Sequence, residues 1–181
     1  MIQAEKVFPL FRVLKTNEEV LLDPEISAVF RNAGHIIGAC SIELKLEGKT
    51  LVFSGDIGRD DDVLMYPPIK PKAADYVFLE STYGNRIHPD EDVKLLLETY
   101  INNTYQINGT VIIPSFAVER AQTIMYLLWQ LKIENKIPDI SYIIDTPMGI
   151  SVLDIFMNNR NWHKLSESDC IEMCQMFTLN S

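Results

Sequence analysis

The sequence is poor in cysteine and contains no long apolar run. Its three cysteines are an odd number without the spacing of a disulfide framework, which argues against a small secreted scaffold and favours a reducing compartment. No uninterrupted apolar stretch approaches the ~18 to 20 residues that a membrane span needs. The first residues lack a basic segment followed by an apolar one. We therefore expect no secretory signal, no membrane partner and a cytoplasmic location.

Positive charge and histidine are also scarce. Sixteen lysines and arginines against twenty-five aspartates and glutamates give a formal net charge of −9. Such a surface does not attract a polyanion as a whole, so nucleic-acid binding would need a local basic groove. The three histidines are His35, His88 and His163, whereas one catalytic zinc usually takes about three protein ligands. Two such zinc sites could not be filled comfortably from this chain.

The remaining composition, with 47% hydrophobic and 23% charged residues in 181, indicates one ordinary globular domain or two small ones. Patterning divides the chain at residue 80. The first half is mostly β, and the second alternates helices with strands, which predicts an α/β fold with a parallel sheet and crossover helices. We predict strands at 7–13, 26–30, 41–47, 51–53, 76–79, 110–113 and 141–144, and helices at 90–104, 117–134 and 148–160. The parallel sheet should contain at least three strands, near 76–80, 110–114 and 140–144.

Side chains that can bind a metal ion lie at strand ends and in glycine-rich turns. His35 stands between two glycines, where the backbone can approach a ligand closely. Asp56 follows a β-run and is also bracketed by glycines, and Glu80 closes the apolar run of residues 76–79. Imidazole and carboxylate groups in such turns can converge on a metal. Taken singly, His35 and Asp56 are more typical of an ordinary loop histidine and turn aspartate, and Glu80 also fits a helix-capping or turn segment.

In their order along the chain, five segments resemble the motifs of the β-CASP branch of the metallo-β-lactamase superfamily. This branch contains RNA-processing nucleases related to the mRNA 3′-end cleavage factor and to bacterial and archaeal RNases. The resemblance implies the last part of a metallo-β-lactamase domain in residues 1–80 and the first part of a β-CASP domain in 81–181. The five segments are Ala33-Gly34-His35-Ile36-Ile37-Gly38, Ser54-Gly55-Asp56-Ile57-Gly58-Arg59, Glu80-Ser81-Thr82-Tyr83-Gly84, Pro114-Ser115-Phe116-Ala117-Val118-Glu119-Arg120-Ala121-Gln122 and Asp145-Thr146-Pro147-Met148.

The resemblance also implies a role for individual residues. His35 would be a zinc ligand, and Asp56 would bridge two zinc ions and help to place the attacking hydroxide. Glu80 would be a catalytic carboxylate that supports the site from behind the ligands. Phe116 would offer a stacking face to RNA and Arg120 a contact to its phosphate. The implied reaction is zinc-dependent hydrolysis of RNA phosphodiester bonds.

Departures from the family pattern limit this expectation. The His-x-His-x-Asp-His motif, which supplies most of the metal ligands, is absent, and so are the late histidine motifs. Neither His88 nor His163 lies in a matching context. We therefore expect the middle of a longer enzyme, which alone binds zinc weakly or not at all, does not cleave RNA, and forms homo-oligomers through uncovered sheet surface. Two alternatives stay open: a non-catalytic module that binds RNA or a partner, and a metallo-β-lactamase-fold hydrolase of a smaller substrate.

Overall fold

The computed structural model describes residues 5–87, 89 and 91–180. Within them the predicted α/β fold class is confirmed, with a mixed five-stranded sheet, a two-stranded parallel sheet and four α-helices. No helix in these ranges is long and apolar enough to cross a membrane. In chain order the elements are β1 (Glu19–Asp23), β2 (Ile26–Asn32), β3 (Cys40–Leu46), β4 (Lys49–Phe53), β5 (Tyr76–Phe78), α1 (Val93–Gln106), α2 (Arg120–Ile133), β6 (Tyr142–Asp145), α3 (Pro147–Asn158), α4 (Glu167–Gln175) and β7 (Phe177–Asn180).

The five-stranded sheet has the order β1-β2-β3-β4-β5, antiparallel except for the parallel pair β4 and β5. The predicted hairpin of β3 and β4 is confirmed, and it turns at Gly48 with φ of 70°. The connection from β4 to β5 runs through a proline-containing loop. This connection returns the chain to the starting end of β4, and the parallel register then places the final residues of the two strands, Phe53 and Phe78, side by side.

The two faces of this sheet differ in an unexpected way. Two polar side chains of β3, Ser41 and Glu43, are buried on one face, whereas Lys45 on the same face is exposed. Glu43 accepts hydrogen bonds there from Nε and Nη2 of the Arg31 guanidinium (Nη2 to Oε2, 2.8 Å). The opposite side, here called the apolar face, is covered only in part. Register places on the apolar face Ile26, Ala28, Phe30, Ile42, Leu44, Leu46, Leu51, Phe53, Tyr76 and Phe78, and of these only Ala28 is fully buried.

The main hydrophobic cores lie in the second half of the chain. One core is built from α2, α3 and α4, and another packs α1 and α2 beneath β6. The loop before β5 contributes to the first core, because Leu64 is fully buried there and its carbonyl accepts from the Lys164 amide at 2.8 Å. Met65 forms a β-bridge with His163. The two halves are therefore joined through residues 64–65 and 163–164.

The prediction that three strands near 76–80, 110–114 and 140–144 form one parallel sheet is wrong. β5 pairs with β4, and β6 pairs in parallel with β7, which comes from a tail whose pattern is ambiguous. Residues 110–113 form no strand, and a groove of about 900 Å³ is lined both by this segment and by β6. A short β-rich run ended by proline is a weak signal, because strand formation depends on a partner edge more than on intrinsic preference.

The predicted edge strand at 7–13 is also wrong. Phe8–Leu10 forms a short 3-10 helix with proline in its first turn, and residues 11–15 pair with no described strand. Proline lacks an N–H group and fixes φ near the helical value, so it favours this turn over a sheet ladder. The predicted helices are confirmed with shifted ends. In α1 the Asp92 side chain caps the N-terminus by accepting from the Leu95 amide at 3.0 Å.

Candidate functional site

Two glycine-rich loops meet at one end of the five-stranded sheet. The loop between β2 and β3 carries His35, and the loop after β4 carries Asp56. The Gly58 amide donates to the Ala33 carbonyl at 2.8 Å. A Cβ atom built on Gly58 would overlap the carbonyl oxygen of Gly34 and lie 2.7 Å from the His35 amide nitrogen. The loops therefore touch backbone to backbone, and only glycine at position 58 permits this approach.

Glu80 joins the end of β5 to the second loop. Its Oε1 atom accepts from the Ile57 amide at 2.7 Å, and its Oε2 atom accepts from the Thr82 hydroxyl at 2.8 Å. The Glu80 amide in turn donates to the Ser54 hydroxyl at 2.9 Å. Ser54 is buried, so this network ties the ends of β4 and β5 to the turn that carries Asp56.

Hydrogen bonding keeps Glu80 ionised. The Ile57 amide, followed by the Thr82 hydroxyl, holds the pKa of Glu80 below its ordinary value. His35 and Asp56 themselves are exposed at the surface. Among the described residues, the Glu80 carboxylate bonds to the backbone next to Asp56 and to Thr82, so it holds the turn that carries Asp56.

The structure thus brings the loops of His35 and Asp56 into contact, with Glu80 hydrogen-bonded to the second loop, and the catalytic and metal-binding roles of the three residues stay predictions. Among the described residues no group of three or more His, Cys, Asp or Glu side chains could hold a metal ion. The residues present therefore do not fit a complete zinc site. His88 lies outside the described residues. His163 is buried, stacks on Phe156 with ring centroids 3.9 Å apart, and donates from Nε2 to the Phe156 carbonyl at 3.1 Å.

Phe116 and Arg120 lie on the segment that leads into α2. The Phe116 ring is 83% exposed, and Arg120, the first residue of α2, is also exposed. No carboxylate in the described part of the chain pairs with the Arg120 guanidinium. The same segment approaches the His35 loop, because Val118 and Ile37 line one small cavity. The RNA-binding roles of Phe116 and Arg120 stay predictions.

The sequence assigns no role to two polar residues of this segment, Glu119 and Gln122. Both lie in the 114–122 motif, but only the structure shows that each has a buried side-chain oxygen without a hydrogen-bond partner among the described residues. Burial raises the pKa of Glu119 to about 7, despite the hydrogen bond that it accepts from Thr123. A glutamate beside an arginine is ordinarily read as a surface ion pair, so the sequence gives no signal for this burial.

Comparison with known proteins identifies a family model and several relatives of this chain. The Beta-Casp domain family matches residues 121–181. A ribonuclease of Thermus thermophilus is 41% identical over 134 residues, covering 72% of this chain and 30% of that protein. An RNase J-like protein of Methanocaldococcus jannaschii is 32% identical over 149 residues, covering 80% of this chain and 35% of that protein. Endoribonuclease ysh1 of Schizosaccharomyces pombe is 34% identical over 99 residues, covering 54% of this chain and 13% of that protein.

These matches, together with the α/β fold and the loop geometry, define the class of protein. The chain belongs to the β-CASP family of the metallo-β-lactamase superfamily, and these three relatives carry ribonuclease names. It spans about a third of the length of the Thermus and Methanocaldococcus relatives. The family resemblance expected from the five motifs is confirmed, whereas the division into domains at residue 80 stays a prediction.

Proposed function

We propose that this chain supplies part of the active site of a cytoplasmic, zinc-dependent ribonuclease that hydrolyses RNA phosphodiester bonds. The observation that carries the proposal is the backbone contact between the loops of His35 and Asp56, with Glu80 hydrogen-bonded to the second loop. An imidazole and a carboxylate are suitable zinc ligands, and the Glu80 carboxylate would hold in place the turn that carries Asp56. The ribonuclease names of the relatives support RNA as the substrate.

The proposal assigns the complete reaction to a longer polypeptide. His35 and Asp56 are two ligands, whereas catalytic zinc takes about three and structural zinc four. In the proposed enzyme the other ligands come from outside the described residues. Taken alone, the chain would bind RNA through exposed groups such as Phe116 and Arg120 without cleaving it. This second role, a binding module, is supported by the exposure of both side chains.

A chimera provides the test. This chain replaces the aligned segment of the Thermus thermophilus ribonuclease, and cleavage of a labelled single-stranded RNA is measured with zinc present. We expect the chimera to cleave the RNA. Asp56→Ala in the chimera should reduce the cleavage rate more than about a hundredfold. Loss of a residue that only hydrogen-bonds to a metal ligand costs about 10–100-fold, and loss of the ligand itself should cost more. RNA binding should change little.

Asp61→Ala is the matched control. Asp61 is an exposed aspartate of the same loop, and its carboxylate pairs with Arg59 at 2.9 and 3.0 Å. Its substitution should leave the cleavage rate within about twofold. Equal rates for the parent chimera and the Asp56→Ala variant would contradict the role of Asp56. A well-folded chimera without cleavage would contradict the proposed function.

A further inference from the structure

Sulfur-containing side chains are concentrated in one hydrophobic core. Six of the ten cysteine and methionine residues of the chain lie in or against the core that α2, α3 and α4 build. Thiol and thioether groups are soft, polarizable donors, unlike the imidazole and carboxylate groups of His35 and Asp56. The six residues, here called the sulfur cluster, are Met125, Met157, Cys170, Met173, Cys174 and Met176.

Two members of the sulfur cluster are thiols on one face of α4. Cys170 and Cys174 are four residues apart in this helix, both pack on the same core, and both are free of disulfides. Cys170 is buried, whereas Cys174 is half-buried and gives the pair access from the surface. Hydrogen bonding by the Cys174 thiol lowers the pKa of Cys170 against the effect of burial, and the positive charge of Arg160 acts in the same direction as the hydrogen bond.

The helix spaces the two thiols for a bridging ion better than for a disulfide. Side chains at positions i and i+4 of a helix have Cβ atoms about 5–6 Å apart, whereas a disulfide needs about 3.5–4.5 Å. An ion bound to both sulfur atoms spans more, because two metal–sulfur bonds of ~2.3 Å, the length known for zinc, let the sulfur atoms lie up to roughly 4.6 Å apart. The pair can therefore act as a two-donor ligand while α4 stays helical.

The number and type of donors determine which ion suits the pair. Zinc takes about three or four protein ligands, and no group of three or more His, Cys, Asp or Glu side chains in the described ranges could supply them. Soft thiolate and thioether ligands favour copper(I). Its filled d shell imposes no high coordination number, so two thiolates in a roughly linear arrangement are enough to bind it.

We propose that Cys170 and Cys174 form a two-coordinate copper(I) site within the sulfur cluster. On binding, each sulfur atom forms a bond to the ion, both thiol protons leave to solvent, and no electron is transferred. The bound unit carries one negative charge, and Arg160, which also pairs with Glu167 at 2.6 Å, supplies a positive charge that acts on Cys170. The apolar core around the pair limits the access of water to the ion. Because both donors come from one folded helix, the ion would stabilise α4 and its core.

Anaerobic titration of the 181-residue chain with copper(I) tests the site. The ion is added as its bicinchoninate complex, whose absorbance reports the copper that the protein has not withdrawn. We expect the chain to withdraw one equivalent. Cys174→Ala should weaken binding by roughly 10²- to 10⁴-fold, which is the gain that linking two donors provides. Cys40→Ala is the matched control, because it removes the third free cysteine, at the start of β3, and should leave the affinity unchanged.

Three results of the titration would overturn the proposal: no withdrawal of copper by the unaltered chain, equal affinity of the unaltered chain and the Cys174 variant, or an equal loss of affinity in the Cys40 variant. X-ray absorption at the copper edge needs no variant and so decides even if Cys174→Ala does not fold. We expect two sulfur neighbours, and nitrogen or oxygen neighbours in their place would overturn the site. The copper site is independent of the proposed function, which the chimera tests separately.

Discussion

At the scale of single residues, Glu119 makes stability depend on pH. Its pKa of about 7 lies above the ordinary value of 4.5, so the folded chain holds this proton more tightly than the unfolded chain. The stabilisation is present at acidic pH and is lost as pH rises from about 4.5 through 7. Because Gln does not titrate, Glu119→Gln should raise the free energy of unfolding at pH 8 by on the order of 2 kcal/mol, allowing for partial exposure.

Urea denaturation at pH 5 and pH 8 measures this difference. Near pH 5 the variant and the unaltered chain should be nearly equal, since both carry a neutral side chain. Burial lowers the pKa of His163, but His163 is present in both proteins and its contribution cancels. Glu172→Gln, an exposed control, should change stability by less than about 0.5 kcal/mol at either pH. A Glu119→Gln variant that is less stable at pH 8 would contradict the buried, protonated carboxyl.

Site residues could be predicted from the sequence where a side chain that can bind a metal stands at a strand end or in a glycine-rich turn. His35, Asp56 and Glu80 stand at strand ends or in glycine turns, and the structure places them at one end of the sheet. Glu119 could not be found in this way, because its importance comes from burial by α3 and from a backbone turn. Both depend on residues distant in sequence. Functional side chains in loops can therefore be located from the sequence more readily than polar side chains that become buried in the fold.

At the scale of structural elements, Gly58 controls the approach of the two loops. A methyl group at this position would overlap the Gly34 carbonyl, and backbone atoms cannot rotate away as a side chain can. We expect Gly58→Ala to lower the free energy of unfolding by about 3 kcal/mol, as strong overpacking does. Chemical denaturation measures the loss.

Gly38→Ala is the control in the neighbouring loop. Nothing lies within 4 Å of a Cβ atom built there, so only the φ of 83° opposes the substitution. Such a conformation costs a non-glycine residue about 1 to 2 kcal/mol. If Gly58→Ala were no more destabilising than Gly38→Ala, the close packing of the loops would be refuted.

Elements with strong periodicity could be predicted, and short apolar runs could not. The β3–β4 hairpin and helices α1 to α3 follow from alternation and helical spacing. Residues 110–113 have the composition of a strand but pair with no strand that the structure describes, and β7 forms in a tail without a clear pattern. Strand pairing is decided by distant segments, so a single run of four residues does not determine it.

At the scale of the whole molecule, the apolar face predicts self-association. Phe53 and Phe78 stack there with centroids 4.6 Å apart, and both remain more than a third exposed. Contiguous apolar surface of this kind usually marks an interface. We expect sedimentation at high micromolar concentration to show dimers or larger species, and Phe78→Ser to reduce them.

Phe116→Ser is the control for this experiment, because Phe116 is also an exposed phenylalanine but lies outside the sheet. It should leave the association unchanged. A clean monomer at high micromolar concentration would contradict the prediction. Equal loss of association in both variants would show that the apolar face is not the interface.

Zinc binding by this 181-residue chain tests the central claim most directly. The claim is that the chain contributes His35 and Asp56 to a metal site that other segments complete. Calorimetric titration with zinc should therefore show weak binding or none, since two ligands are too few for a tight site. Stoichiometric, nanomolar binding of two zinc ions would contradict the account, because it would mean that this chain alone holds the complete site.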